Sequence, residues 1–187
     1  ALSGKWIVEG DDKRSLAFFR RGRLWTANGM GKWQIRGERM VEIQACGGTT
    51  LEFDSEEAPT SFKATSNTGV ILQGALDPHF LGAADADFDP SHPAVAQVQT
   101  LGPWAWAGVP GMGFFKNGKL LTPWGTGTYA PIAGSDSKLL VTFAGIKHSV
   151  TTEKCGRFTS LRQSDGSEVK GWIMLGQACR GGHSVIY

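Results

Sequence analysis

Two histidines stand beside serines, His148-Ser149 and His183-Ser184, each just after a small-residue turn. An imidazole next to a hydroxyl offers the parts of a general base and its nucleophile. Adjacent residues of a strand point to opposite faces, however, so neither pair meets through its local spacing. Thr49-Thr50 occupies the corresponding place earlier in the chain, which favours a structural role, the polar side chain bonding turn backbone. A second candidate is Asp85-x-Asp87-x-Asp89, whose alternating oxygen donors resemble the opening of a calcium loop. Pro90 then stands where such a loop requires Gly, and Ala96 where it requires the bidentate Glu. The expectation is a solvated acidic loop, with Asp85, Asp87 and Asp89 as a weak divalent metal site in the alternative. His79 and His92 flank this loop and would extend the donor set to nitrogen.

Aromatic residues offer a different chemistry. Trp106 and Trp124 lie among Pro110, Gly111, Pro123 and Gly125, where loops gather, and an exposed indole there stacks on a sugar or docks a partner. Trp25 and Trp172 join them as candidate ligand-binding residues. Arg20, Arg21 and Arg23 form a basic cluster suited to binding a protein partner. The glycine-rich runs Gly108 to Gly113 and Gly125-Thr126-Gly127 lack the lysine and following helix of a phosphate loop. No paired carboxylates, nucleophile elbow or zinc signature is present, and no cofactor is identified.

The elements that position these residues are written twice. Phe18, Gly22, Leu24, Thr26, Gly29, Gly31 and Trp33 recur as Phe114, Gly118, Leu120, Thr122, Gly125, Gly127 and Tyr129, every pair 96 residues apart. A fixed period marks a repeated supersecondary unit. Residues common to both copies are explained by the fold they build; the unshared residues are the candidates for a particular task. Trp6, Trp33, Trp104 and Tyr129 sit at repeated strand positions and belong to the core. Trp25, Trp106, Trp124 and Trp172 have no aromatic counterpart. Phenylalanine followed four residues later by glycine between β-prone runs is a hairpin signal, and Met40-Val41-Glu42-Ile43 alternates as a half-buried strand does. The expected architecture is all-β: an antiparallel barrel or paired sheets, five to six strands per repeat, with little helix. Residues 1–75 form the first repeat, 76–101 an irregular acidic linker containing Pro and His, and 102–187 the second. The repeats form either two small meander barrels side by side or two half-sheets closing one barrel, and pairing of exposed edges slightly favours the shared barrel.

The chain of 187 residues carries 26 Gly and 7 Trp with 19% charged residues, a turn-rich, aromatic globular composition. No apolar run reaches the length of a membrane helix, so no transmembrane segment is expected. A net charge of +2 and the absence of a nucleic-acid signature argue against nucleic acid as a partner. The charge is uneven, basic over 5–39 and acidic over 52–89. Cys46, Cys155 and Cys179 share no metal spacing; three reduced, buried thiols are expected, and at most one pair can bridge. A chain that begins at Ala1 fits a processed organellar or secreted protein.

The run G-x-W, F-x-x-x-G-x-L, G-x-G-x-[WY], then a strand ending near Gly145 and His148, then F-x-S and D-G, resembles the lipocalin-like calycin barrels. It is also similar to an uncharacterised β-rich repeat of algal and protist proteins. The calycin resemblance implies a small ligand inside a barrel. Together these readings predict a non-catalytic binding or interaction module for a small apolar or glycan-like ligand. An accessory subunit of a larger assembly, docking through Arg20, Arg21 and Arg23, is the alternative; an enzyme using His79, His92, His148 or His183 is a third.

Overall fold

Side chains along a strand alternate between faces, and here the inward set is large and apolar, which lets a short antiparallel meander close into a filled tube. The structure is a computed structural model and describes residues 2–9, 11–26, 29–44, 48–84 and 88–174, with backbone alone for 11–14. The chain divides into two units, Ala1–Gly82 and Ala83–Tyr187.

In the first unit, β1 (Lys5–Val8), β2 (Asp11–Phe19), β3 (Arg23–Thr26), β4 (Gly29–Ile35), β5 (Met40–Ile43), β6 (Thr49–Phe53), β7 (Ser61–Ser66) and β8 (Ile71–Leu76) each pair with the next, and β1 also pairs with β8. In the second, β9 (Trp104–Trp106), β10 (Val109–Phe114), β11 (Lys119–Thr122), β12 (Gly125–Pro131), β13 (Lys138–Phe143), β14 (Ile146–Glu153), β15 (Arg157–Arg162) and β16 (Glu168–Ile173) do the same, β16 returning to β9. The all-β, duplicated architecture is as expected. The shared barrel is not: eight strands per repeat, rather than five or six, let each copy close on itself and abolish its own edges.

The repeated residues explain the repeated fold. Trp33 donates its indole N–H to the Phe19 carbonyl at 2.9 Å, and Tyr129 donates its hydroxyl to the Phe115 carbonyl at 2.7 Å. Two different aromatics thus close the same turn. Gly22 and Gly118 both lie at φ +69°, where a Cβ would stand 2.8 Å from the Trp33 carbonyl oxygen or 2.6 Å from that of Tyr129. A Cβ at Gly74 or Gly171 would fall against the ring of Phe62 or Phe158, which needs that space to fill the barrel. Trp6, Phe18, Leu24, Leu51, Phe53 and Phe62 fill the first interior, and Trp104, Phe114, Leu120, Val150 and Phe158 are among those filling the second.

The 76–101 segment, read as irregular from its prolines, contains a 3-10 turn at Pro78–Phe80 and the one α-helix among the described residues, α1 (Pro93–Leu101). Pro93 occupies the first helical turn, where its missing N–H costs nothing, and the His92 ring accepts from Ala94 N at 3.3 Å. Ala94, Val95 and Val98 are buried and pack on the second core. Gln99 bonds the Phe115 carbonyl at 3.1 Å and the Tyr129 hydroxyl at 2.6 Å, Gln97 bonds the Glu153 carbonyl at 2.6 Å, and the Trp104 N–H donates to the Val98 carbonyl at 3.0 Å. The helix therefore closes one end of the second barrel. No helix among the described residues is long and apolar enough to cross a membrane.

Candidate functional site

With α1 over one end, the opposite end of the second barrel is formed by the last residues of β9, β11, β13 and β15 and the first of β12 and β14. Its inward side chains are Trp106, Thr122, Phe143, His148, Ser160 and Arg162. Register fixes their counterparts in the first barrel. His148 faces Val141 and Arg162 as Thr49 faces Ile43 and Ser66. Ser160 faces Val150 as Ala64 faces Leu51, and Trp106 faces Gly171 as Val8 faces Gly74. Thr122 repeats Thr26, each hydroxyl donating to the carbonyl of the glycine three residues on, at 2.9 and 3.0 Å. The other five differ from the first copy; the position matching Phe143 is Ala45, outside the described residues. The residues that duplication does not explain therefore converge on one end of one barrel.

The arrangement is an aromatic stack. Trp124, in the β11–β12 turn, lies parallel to Phe143 with centroids 5.7 Å apart and planes 12° apart, and Phe143 lies parallel to His148 at 5.0 Å and 1°. Trp106 meets both Phe143 and His148 edge-on, at 5.3 and 5.1 Å. Gly127 makes the stack fit, because a Cβ there would stand 2.9 Å from that of Phe143. The backbone N–H of Trp124 donates to the Thr122 hydroxyl at 3.1 Å, fixing the turn that carries the indole. Trp124 remains 50% exposed while the rings beneath it are buried. It presents one open indole face on a rigid support.

Beneath the aromatics is a polar cluster. His148 Nδ1 and the Ser160 hydroxyl lie 3.2 Å apart, so a histidine and a serine do meet, across strands rather than along one. Ser160 is 0% exposed and His148 4%; a hydroxyl sealed from solvent cannot attack a substrate, and the pair reads as structural. Burial, and then the Arg162 guanidinium, push the His148 imidazole below its ordinary value, with Asp165 acting in the opposite sense. Arg162 donates Nη1–H to the Asp165 carboxylate at 3.1 Å. Its Nε–H is buried and has no partner among the described residues.

The other candidates do not join this site. Trp25 is half-buried on the outer face of β3, beside Ala17 and Met30 in register. Trp172, 37% exposed, points outward from β16 between Arg157 and Ala105. Arg20, Arg21 and Arg23 gather at the β2–β3 turn of the first barrel. Arg23 Nε donates to the Arg20 carbonyl at 3.4 Å, and burial followed by the Arg21 charge lowers the Arg23 guanidinium from its ordinary value. Asp85 and Asp87 lie outside the described residues. Asp89 accepts from Ser91 N at 2.8 Å and Ser91 Oγ at 2.6 Å, which holds the turn before α1. The described residues contain no group of three or more side chains able to hold a metal. His79 stacks edge-on against Phe80 in the first unit, His92 caps α1 with its Nε2 2.8 Å from the Ser135 carbonyl, and His183 lies outside the described residues. Cys155 is exposed and disulfide-bonded, correcting the expectation of three reduced, buried thiols; Cys46 and Cys179 lie outside the described residues. An open concavity of about 450 Å³ on the outer face of β5–β7 is lined mainly by polar residue types, and its carboxylates Glu42 and Glu52 are already engaged by Arg36 and Arg39.

The sequence singled out Trp106 and Trp124 but missed Phe143, Ser160 and Arg162. Comparison with protein families, with curated proteins and with solved structures found no match to this chain in any of the three.

Proposed function

We propose that this chain is a non-catalytic binding module whose second barrel holds a glycan at the end opposite α1, with one sugar ring lying on the exposed face of Trp124. One observation carries the reading: the residues of the second copy that its fold does not require collect at this end and build a supported, half-exposed indole platform. A pyranose presents a face of C–H groups that an indole face matches, and the ring beneath holds the indole in place, so little side-chain freedom is lost on binding. The resemblance to lipocalin-like barrels would put a ligand inside. The inward positions of both barrels are occupied by packed side chains, which supports the end rather than the interior. The disulfide at Cys155 supports an oxidising compartment for the chain.

A second reading, docking of an acidic protein partner in a larger assembly, is favoured by the gathering of Arg20, Arg21 and Arg23 at one turn. It predicts association that weakens steeply with salt.

A glycan array probed with the intact protein and with Trp124→Ala tests the first reading. The intact protein is expected to bind a defined set of oligosaccharides, and Trp124→Ala to lose them by tenfold or more with an unchanged thermal midpoint. Binding that survives the substitution contradicts the platform.

A further inference from the structure

Three successive turns at the platform end of the second barrel, β9–β10, β11–β12 and β13–β14, carry nothing but apolar side chains. They read Ala107-Gly108-Val109, Pro123-Trp124-Gly125 and Ala144-Gly145-Ile146, and every one of these residues is exposed. Val109 is 37% exposed, Trp124 50% and Ile146 36%. The indole nitrogen of Trp124 is the one polar side-chain atom among them. The turns share a rigid base, since Trp106 at the end of β9 and Trp124 both pack on Phe143 at the end of β13. The fold does not require this character. Val8 pairs with Asp11 as Trp106 pairs with Val109, so the first copy carries Glu9 and Asp11 where the second carries Ala107 and Val109, and the 96-residue period sets Ala27 and Asn28 against Pro123 and Trp124. Apolar groups held in water where the twin copy has charges mark an interaction surface.

We infer that the glycan held on Trp124 is the headgroup of a membrane glycolipid, and that Val109 and Ile146, on the turns to either side, enter the interface of the bilayer around it. The hydroxyls of a free oligosaccharide require polar side chains about the indole to fix them, and the flanking turns offer none; a lipid-borne sugar sets the same turns beside glycerol and acyl chains. Separate projecting tips suit a lipid surface, which closes around each, whereas a protein partner needs a hollow for each. Indole itself favours the boundary between apolar and wet. Charge agrees with this placement. Exposed Lys147 follows Ile146, and the carbonyl of exposed Lys170 accepts from Ala107 N at 3.0 Å, so a lysine stands behind two of the tips, at the level of the lipid phosphates. Asp165 and Glu168 belong to the fourth turn, β15–β16, and the strand it opens. This inference rests on the platform reading and adds to it the molecule that carries the sugar.

Flotation of the full chain with phosphatidylcholine vesicles, plain or carrying lactosylceramide, glucosylceramide or digalactosyl diacylglycerol, tests the inference beside the glycan array. At least one glycolipid is expected to raise the floated fraction tenfold or more over plain vesicles. Trp124→Ala should lose vesicles and array sugars together. Val109→Ser combined with Ile146→Ser should lose the vesicles tenfold while keeping the array sugars and the thermal midpoint. If the intact protein binds array sugars and floats with none of the three glycolipids, the lipid assignment falls and the platform stands; if it binds neither, both fall. Flotation with plain vesicles equal to that with glycolipid overturns the inference, because the sugar is then not what is held. A double substitution that weakens array sugars as much as vesicles overturns it as well, the turns then serving the sugar alone. So does a dimer that forms without vesicles and dissociates on the double substitution, since a second copy then covers the tips.

Discussion

The two core tryptophans show how one hydrogen bond separates otherwise equivalent residues. Trp6 and Trp104 occupy the same position in their barrels and are equally buried, yet the Trp104 N–H donates to the Val98 carbonyl of α1, whereas the Trp6 N–H is buried without a partner among the described residues. Replacing either by Phe leaves a similar gap, so the difference between the two substitutions isolates the polar term. Trp104→Phe is expected to cost about 1–3 kcal/mol more than Trp6→Phe, since it also leaves the Val98 carbonyl unpaired. Urea unfolding followed by resolved amide signals of each barrel measures it; equal losses contradict the account. At His148 the sign of the pH dependence follows from the lowered imidazole. Below about 6.5 the unfolded chain takes up a proton that the folded second unit resists. Its stability therefore falls as the solution is acidified through that value, until the folded imidazole itself titrates. His148→Gln is expected to flatten the fall between pH 8 and 5; an unchanged slope would place its origin elsewhere. Half of this residue-level picture was legible in the sequence. Trp106 and Trp124 stood out because no aromatic repeats them, but Ser160 and Arg162 lie in the next strand, 12 or more residues from His148, with no local spacing that marks them as its neighbours. Only the pairing of β14 with β15 brings them together.

Elements show the same division. Strand signals survived reading because alternation and paired glycines act over a few residues, as at Met40–Ile43 and at Gly22 and Gly118. Helix α1 was hidden, although Ala94, Val95, Val98 and Leu101 follow a helical period, because nine residues between proline-rich flanks offer little more than two turns of pattern. Its stability comes from the barrel end it covers rather than from propensity. Val98 is 0% exposed, and a carboxylate there would be buried without a counter-charge. Val98→Asp is expected to detach the helix and cost several kcal/mol. Hydrogen exchange would then speed up in β10, β12, β13 and β14, the strands against α1, while exchange in β1–β8 stays as it was. Uniform acceleration across all sixteen strands would contradict separate cores.

At the scale of the whole molecule, the two copies share the residues of the barrel and differ at one end of it. Both copies kept the residues that close a barrel: the core tryptophan, the aromatic bonded back to a carbonyl, and the glycines under Phe62 and Phe158. The second copy alone carries the Trp106, Trp124, Phe143, His148 and Arg162 set. In the first barrel the basic run meets the acidic residues up to Asp77, Lys5 pairing with Asp77 at 3.7 Å and Arg39 with Glu52 at 3.9 Å. The exposed Arg39–Glu52 pair is worth little to stability. That closed fold was foreseen in class and repeat number, but not in closure, because the count of strands needed to meet end to end is a property of tilt and twist. The central claim is that the second barrel alone binds a glycan, through Trp124. The most direct measurement is a titration of the tryptophan indole N–H signals in a nitrogen–proton correlation spectrum, using the oligosaccharides selected on the array. The account predicts saturable shifts of the Trp124 and Trp106 signals with those of Trp6, Trp25 and Trp33 unmoved. Shifts confined to the first-barrel tryptophans, or none at all with a ligand that binds, would contradict it.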